Sequence, residues 1–351
     1  MQRLYSIQYL RAVAALSVVA LHASNRVEAH LPDGVIHALH LGHAGVDLFF
    51  VISGFIMWYI GRETTQSPGD FFLRRFVRVA PLYWLASLSW AAFAIAAGYA
   101  WMKVEAVFLL QSLLFIPHYS ATFSEQVWPV LVPGWTLNYE MFFYFLFGLS
   151  LALPKALRLV GMGGALGILV AAGLLLSPES AIGKTYTSPL LLEFGAGCVV
   201  AELWRRFPGG IVRNAVVLVA GVLAFVLLAP HVDEADTWGR VLGFGLPAAL
   251  ILMGTIGISP IIPHWPLLER LGDASFAIYV FHVLILSVVM QVWNMVPGLH
   301  NTATAATLIV GFLVLISVIG LWLFRAVERP LHRVLMGGIA ILSKGGTYAK
   351  R

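Results

Sequence analysis

A single cysteine, Cys198, among 351 residues excludes an internal disulfide and any metal site built from several cysteines. It sits in an apolar run, where it reads as a small helix-packing residue. Charge is scarce as well, with Asp, Glu, Lys and Arg making up 11% of the chain, against about 25% in an ordinary soluble protein. So little charge cannot cover a water-exposed globule of this size. The net charge of +5 suggests nucleic acid only until its placement is considered, since the basic residues cluster beside long apolar runs. What the chain has in abundance is hydrophobic residues, at 60%. The composition predicts an all-α, polytopic integral membrane protein. Arg3 ahead of an apolar run, with the small Ala23 further on, has the outline of a signal peptide, but Arg11 interrupts that run and further apolar stretches follow.

Stretches long enough to cross about 30 Å of hydrocarbon fall near residues 7–25, 43–61, 79–99, 135–153, 159–176, 188–204, 214–230, 239–257, 271–294 and 303–325. These predict a bundle of about ten transmembrane helices. The segment from Lys103 to Pro117 has only a short apolar core and is expected to form an interfacial or re-entrant helix. With the N-terminus cytoplasmic, the inner side collects Arg3, Arg62, Arg74, Arg75, Arg78, Lys155, Arg158, Arg205, Arg206, Arg213, Arg270 and the basic tail from Arg325 to Arg351. The outer side keeps Arg26, Lys103, Lys184 and Arg240. By the positive-inside rule both termini are expected in the cytoplasm. With no linker or internal repeat, residues 1–335 read as one membrane domain and 336–351 as a cytoplasmic basic tail.

Ionisable residues inside the spans are the candidates for function, because burying them is costly. Arg11 and His22 lie on one face of the first span, roughly 20° apart around the axis and about 16 Å apart along it. Depth sorts the rest. His22, Asp47 of the second span and Glu140 of the fourth all fall in the outer half. Ser275, Tyr279 and His282 share one face of the ninth span at i, i+4 and i+7. Helix packing is the competing reading for His282, and simple ion pairing for Asp47 and Glu140. His30, His37, His40 and His43 in the first outer loop lack tight metal-ligand spacing and are assigned to solvent; no metal is expected. On the cytoplasmic side, Arg75 and Arg78 at i, i+3 share a direction and suit a phosphate, while Tyr83 and Trp84 sit where an interfacial aromatic belt would.

Together these segments resemble a known family. Arg11 followed by His22, Gly45-Val46-Asp47-Leu48-Phe49-Phe50-Val51-Ile52-Ser53-Gly54-Phe55, the Arg75-x-x-Arg78 before Pro81-Leu82-Tyr83-Trp84, Ser275 to His282, and Val327-Glu328-Arg329-Pro330 look like the acyltransferase-3 family of membrane acyltransferases. The resemblance covers roughly residues 5–332. Tyr9 to Ala15 and Pro133 to Tyr144 are similar to the ExoZ-like branch of exopolysaccharide O-acetyltransferases. Thr136-Leu137-Asn138-Tyr139-Glu140 stands where more distant members have Ser-Leu-x-x-Glu, and the extracytoplasmic hydrolase-like domain of some members is not expected here.

The resemblance implies transfer of an acetyl group from acetyl-CoA to a sugar hydroxyl of an exopolysaccharide or other cell-surface glycan, including a lipid-linked one, at the bacterial inner membrane. Cytosolic CoA would meet Arg11, Arg75, Arg78, Tyr83 and Trp84. His22 is the expected general base, with Glu140 or Asp47 orienting it; an acetyl-His22 intermediate is the rival mechanism. Ser53, Trp135, Asn138, Tyr139, Tyr279 and His282 are expected on the acceptor side. A transporter or flippase, or an assembly protein of an export machine, remains the alternative class. No nucleic-acid partner is expected, and oligomeric state is left open.

Overall fold

Backbone in hydrocarbon must satisfy its hydrogen bonds internally, which a helix does within one segment. The structure, a computed structural model, describes residues 4–28, 41–99, 104–296, 298 and 300–345, and these hold helices and turns with no strand. In chain order the helices are α1 (Tyr5–Glu28), α2 (Ala44–Gly61), α3 (Pro68–Ala96), α4 (Ala106–Leu113), α5 (Trp135–Ser150), α6 (Arg158–Leu176), α7 (Ala181–Tyr186) and α8 (Leu191–Arg206). There follow α9 (Ile211–Leu228), α10 (Thr237–Arg240), α11 (Leu246–Gly257), α12 (Pro266–Asp273), α13 (Ser275–Asn294), α14 (Thr302–Leu323) and α15 (Arg329–Gly345). His30, His37 and His40 lie outside the described residues.

Among the described residues, the ten expected spans become eight helices that are long and apolar enough to cross a membrane, plus α5 and α8. Those two have 16 residues each, about 24 Å of helix, and fall short of the hydrocarbon thickness. Each buries one face and exposes another: Phe143 and Phe147 of α5 and Phe194 and Cys198 of α8 are fully buried, while Phe145, Leu149, Val199 and Leu203 are exposed. α6 and α9 instead leave most of their apolar surface exposed, as lipid-facing helices do. α4, at eight residues, is too short to cross, in keeping with an interfacial or re-entrant segment.

Two departures from the expected boundaries affect the site. α3 begins at Pro68, capped by Ser67, whose hydroxyl accepts from the Asp70 N–H at 3.1 Å. Arg74, Arg75 and Arg78 therefore stand on the first turns of the spanning helix and not ahead of it. Arg240, expected at the outer end of its span, is buried at the end of α10, where a π-helical turn, Val241–Gly245, joins it to α11. A second π-helical turn, Phe324–Glu328, joins α14 to α15.

α2 and α8 pack most closely, through glycine. A Cβ at Gly54 would lie 1.9 Å from the Phe194 carbonyl oxygen, and one at Gly197 would lie 2.0 Å from that of Val51. Small residues let membrane helices approach backbone to backbone. Cys198 completes the contact, its thiol 3.4 Å from the Gly54 carbonyl. The apolar interior forms two packed groups, one around α2, α3, α5 and α8 and a smaller one around α1, α12 and α14, with α13 contributing to both.

Candidate active site

Beside the larger group, α1, α2, α3, α5 and α13 surround a cavity of about 300 Å³. One end is cationic. Arg11 comes from the first turns of α1, and Arg75 and Arg78 from one face of α3. Arg11 reaches Gln8 at 3.4 Å. Arg75 lies over the Phe71 ring at 5.5 Å, and its Nε has no hydrogen-bond partner. Arg78, about a third exposed, has its guanidinium 3.8 Å from the buried Glu328 carboxylate, too far for a hydrogen bond. Three guanidiniums at one mouth have the charge and the donors to hold an anion such as a phosphate.

Deeper in, the walls hold one carboxylate and several hydroxyls. Glu140 accepts from Ser53 at 3.1 Å and from the Tyr144 hydroxyl, both on Oε1. Tyr144 is one turn beyond Glu140 on α5, so an i, i+4 reading of that helix could have found it. Tyr279 meets Thr136 Oγ1 at 3.0 Å and donates to the Pro133 carbonyl at 3.2 Å, which ties α13 to the entry of α5. Ser275 also lines the cavity, its hydroxyl buried without a partner.

His22 is not among the residues lining the cavity. It pairs with His282, Nδ1 to Nε2 at 2.6 Å, the rings nearly parallel at 13° with centroids 4.9 Å apart. His282 is fully buried and its ring lies 5.9 Å from that of Tyr279, so the histidine pair stands about one helical turn beyond the cavity wall.

The other expected site residues lie elsewhere. Asp47 does not approach His22. It is fully buried in an ion pair with Arg240, at 2.7 and 3.3 Å, and buried Glu193 of α8 adjoins the same pair. Arg240 also lies over the Trp135 ring at 5.6 Å, and Tyr139 packs edge-on to Trp135 at 5.8 Å, so these aromatics serve the ion pair and not the cavity. Asn138 is buried on the same helix. Tyr83 packs against Phe115 and under Gly134, while Trp84 donates to the Leu113 carbonyl at 2.7 Å, holding α4 to α3. Neither of these two aromatics lines the cavity. His43, assigned to solvent, instead contacts Glu234 at 2.5 Å. Among the described residues no cluster of three or more His, Cys, Asp or Glu could hold a metal ion.

Comparison with known proteins bears on the same residues. Residues 4–325 match the acyltransferase-3 family model, described as an acyltransferase domain. The chain belongs to the acyltransferase-3 family. Membership decides against the transporter reading and makes the protein a membrane acyltransferase. This acyltransferase is 36% identical to the exopolysaccharide production protein ExoZ of Rhizobium meliloti, over 87% of its own length and 94% of that protein's. It is 27% identical to the acyltransferase MdmB of Streptomyces mycarofaciens, over 95% and 92% of the two chains. It is 25% identical to the peptidoglycan O-acetyltransferase OatA of Listeria monocytogenes, covering 93% of this chain and 56% of that one. No solved structure matches.

Proposed function

We propose that this acyltransferase is an O-acetyltransferase that moves an acetyl group from cytosolic acetyl-CoA to a sugar hydroxyl of an exopolysaccharide or other cell-surface glycan at the bacterial inner membrane. The observation that carries the reading is the polarity of the cavity. Its cationic end, Arg11, Arg75 and Arg78, suits the phosphates of CoA, while its interior offers Glu140, Tyr144, Ser53 and Tyr279 to less charged groups. A volume of about 300 Å³ suits the pantetheine arm and thioester but not the whole donor, so the nucleotide would remain at the mouth. The similarity to an exopolysaccharide production protein and to a peptidoglycan O-acetyltransferase supports a glycan as acceptor.

A sugar hydroxyl attacks a thioester poorly until a base removes its proton. His22 is the base in this reading, reached by a thioester that has passed Arg11 and Tyr279. The separation of about 16 Å between Arg11 and His22 along α1 favours Arg11 as a contact of the donor over a contact of the oxyanion. The hydroxyl attacks the thioester directly. Replacing His22 with Ala should lower acetyl transfer in purified membranes by about 10²- to 10⁴-fold while leaving acetyl-CoA binding intact. Normal transfer to glycan by that variant would overturn the reading.

A further inference from the structure

The hydrogen bonds of the histidine pair assign protons. A backbone carbonyl only accepts. His282 Nδ1 lies 2.5 Å from the carbonyl of Tyr279, so Nδ1 carries the hydrogen. In a neutral ring, Nε2 then has the lone pair. That lone pair faces His22 Nδ1 at 2.6 Å, and His22 must supply the proton of this contact. Its own Nε2 is left as a bare lone pair. The other assignment makes His282 an imidazolium, a fully buried cation against which the described residues place no carboxylate, and burying an unpaired charge is costly.

We infer that His282 is a positioning residue: the chain from the Tyr279 carbonyl through His282 to His22 holds His22 as the Nδ1–H tautomer and makes Nε2 the atom that takes the acceptor's proton. The inference rests on the reading of His22 as base. In the transfer, His22 Nε2 takes the hydroxyl proton as the oxygen bonds to the thioester carbonyl carbon. The carbon–sulfur bond then breaks, and the departing thiolate takes the proton from Nε2–H to become the CoA thiol. While His22 is charged, its Nδ1–H remains bonded to a neutral imidazole. His282 thus fills the place a carboxylate holds in a Ser-His-Asp triad. Of the two carboxylates expected there, Asp47 is committed to Arg240, and Glu140 accepts from Ser53 and Tyr144.

Two measurements test this. Nitrogen-15 imidazole shifts of the unmodified protein, assigned with a His22→Gln control, should show His22 protonated at Nδ1 and bare at Nε2; the opposite tautomer overturns the proposal outright and requires no variant of His282 to fold. For the second, His282→Phe keeps the volume but has no acceptor, whereas the amide of His282→Gln can both accept from His22 and donate to the carbonyl. The Phe variant should lose about 100-fold in kcat with KM for acetyl-CoA within about twofold, and the Gln variant should recover about tenfold. A Phe variant with parental kcat, in a protein that His22→Ala inactivates, would overturn the positioning role. Full activity of His22→Ala would instead remove the base reading, and the tautomer measurement would still stand or fall by itself.

Discussion

Single residues carry the chemistry, and their neighbours decide what each can do. Arg75 and Arg78 have donors to spare at the cavity mouth: Arg75 Nε has no hydrogen-bond partner, and the Glu328 carboxylate lies 3.8 Å from Arg78, beyond hydrogen-bond distance. Hydrogen bonds to charged groups contribute about 1.5–3 kcal/mol each. Arg75→Ala and Arg78→Ala should therefore each raise KM for acetyl-CoA by at least about tenfold and leave kcat largely unchanged. Both should use S-acetylpantetheine, which lacks the nucleotide phosphates, as well as the parent does; an equal loss on both donors would contradict a phosphate role. Asp47 behaves differently. With its carboxylate locked to Arg240 at 2.7 Å in the interior, Asp47→Ala strands a buried guanidinium and should cost about 3–5 kcal/mol. The Asp47→Ala, Arg240→Ala double variant should unfold in detergent at a higher temperature than the sum of the single effects predicts.

Helices are legible in this sequence because hydropathy is a local property. α2 and α14 run within a residue or two of the stretches expected from apolar length, since nothing but uninterrupted apolar residues is needed to define them. α3 starts eleven residues earlier than expected because a Ser-Pro cap outweighs the arginines that hydropathy counts against it. α5 and α8 read as ordinary spans yet hold only 16 residues each. Their packing has a direct test. Gly197→Ala puts a methyl group 2.0 Å from the Val51 carbonyl oxygen, so α2 and α8 must part, and about 1–3 kcal/mol of stability should be lost. Gly163→Ala on the exposed side of α6, with nothing within 4 Å, should leave the thermal midpoint unchanged. Equal effects of the two would show that α2 and α8 do not depend on this contact.

At the scale of the molecule, the single cysteine gives access to topology. Cys198 is fully buried and should be silent to a membrane-impermeant maleimide. Against that background, Glu179→Cys should label from the periplasmic face of spheroplasts and Lys155→Cys only after the membrane is opened, as the positive-inside distribution requires. The reverse pattern would invert the bundle and take the arginine mouth away from cytosolic CoA.

The candidate site shows the limit of depth as a guide. His22, Asp47 and Glu140 were expected to meet because they share a level in the membrane. They face three different partners: His282, Arg240, and the pair Ser53 and Tyr144. Rotation of each helix about its axis decides such pairings, and contacts between residues far apart in the chain set that rotation. His22 and His282 are 260 positions apart, and Asp47 and Arg240 are 193. The sequence by itself determined the membrane class, the helical content, the arginine face of α3 and the family, because each depends on residues close together in the chain or on their order. Only the tertiary structure decided which ionisable groups share a cavity, which cancel in an ion pair, and which nitrogen of His22 is left with a lone pair.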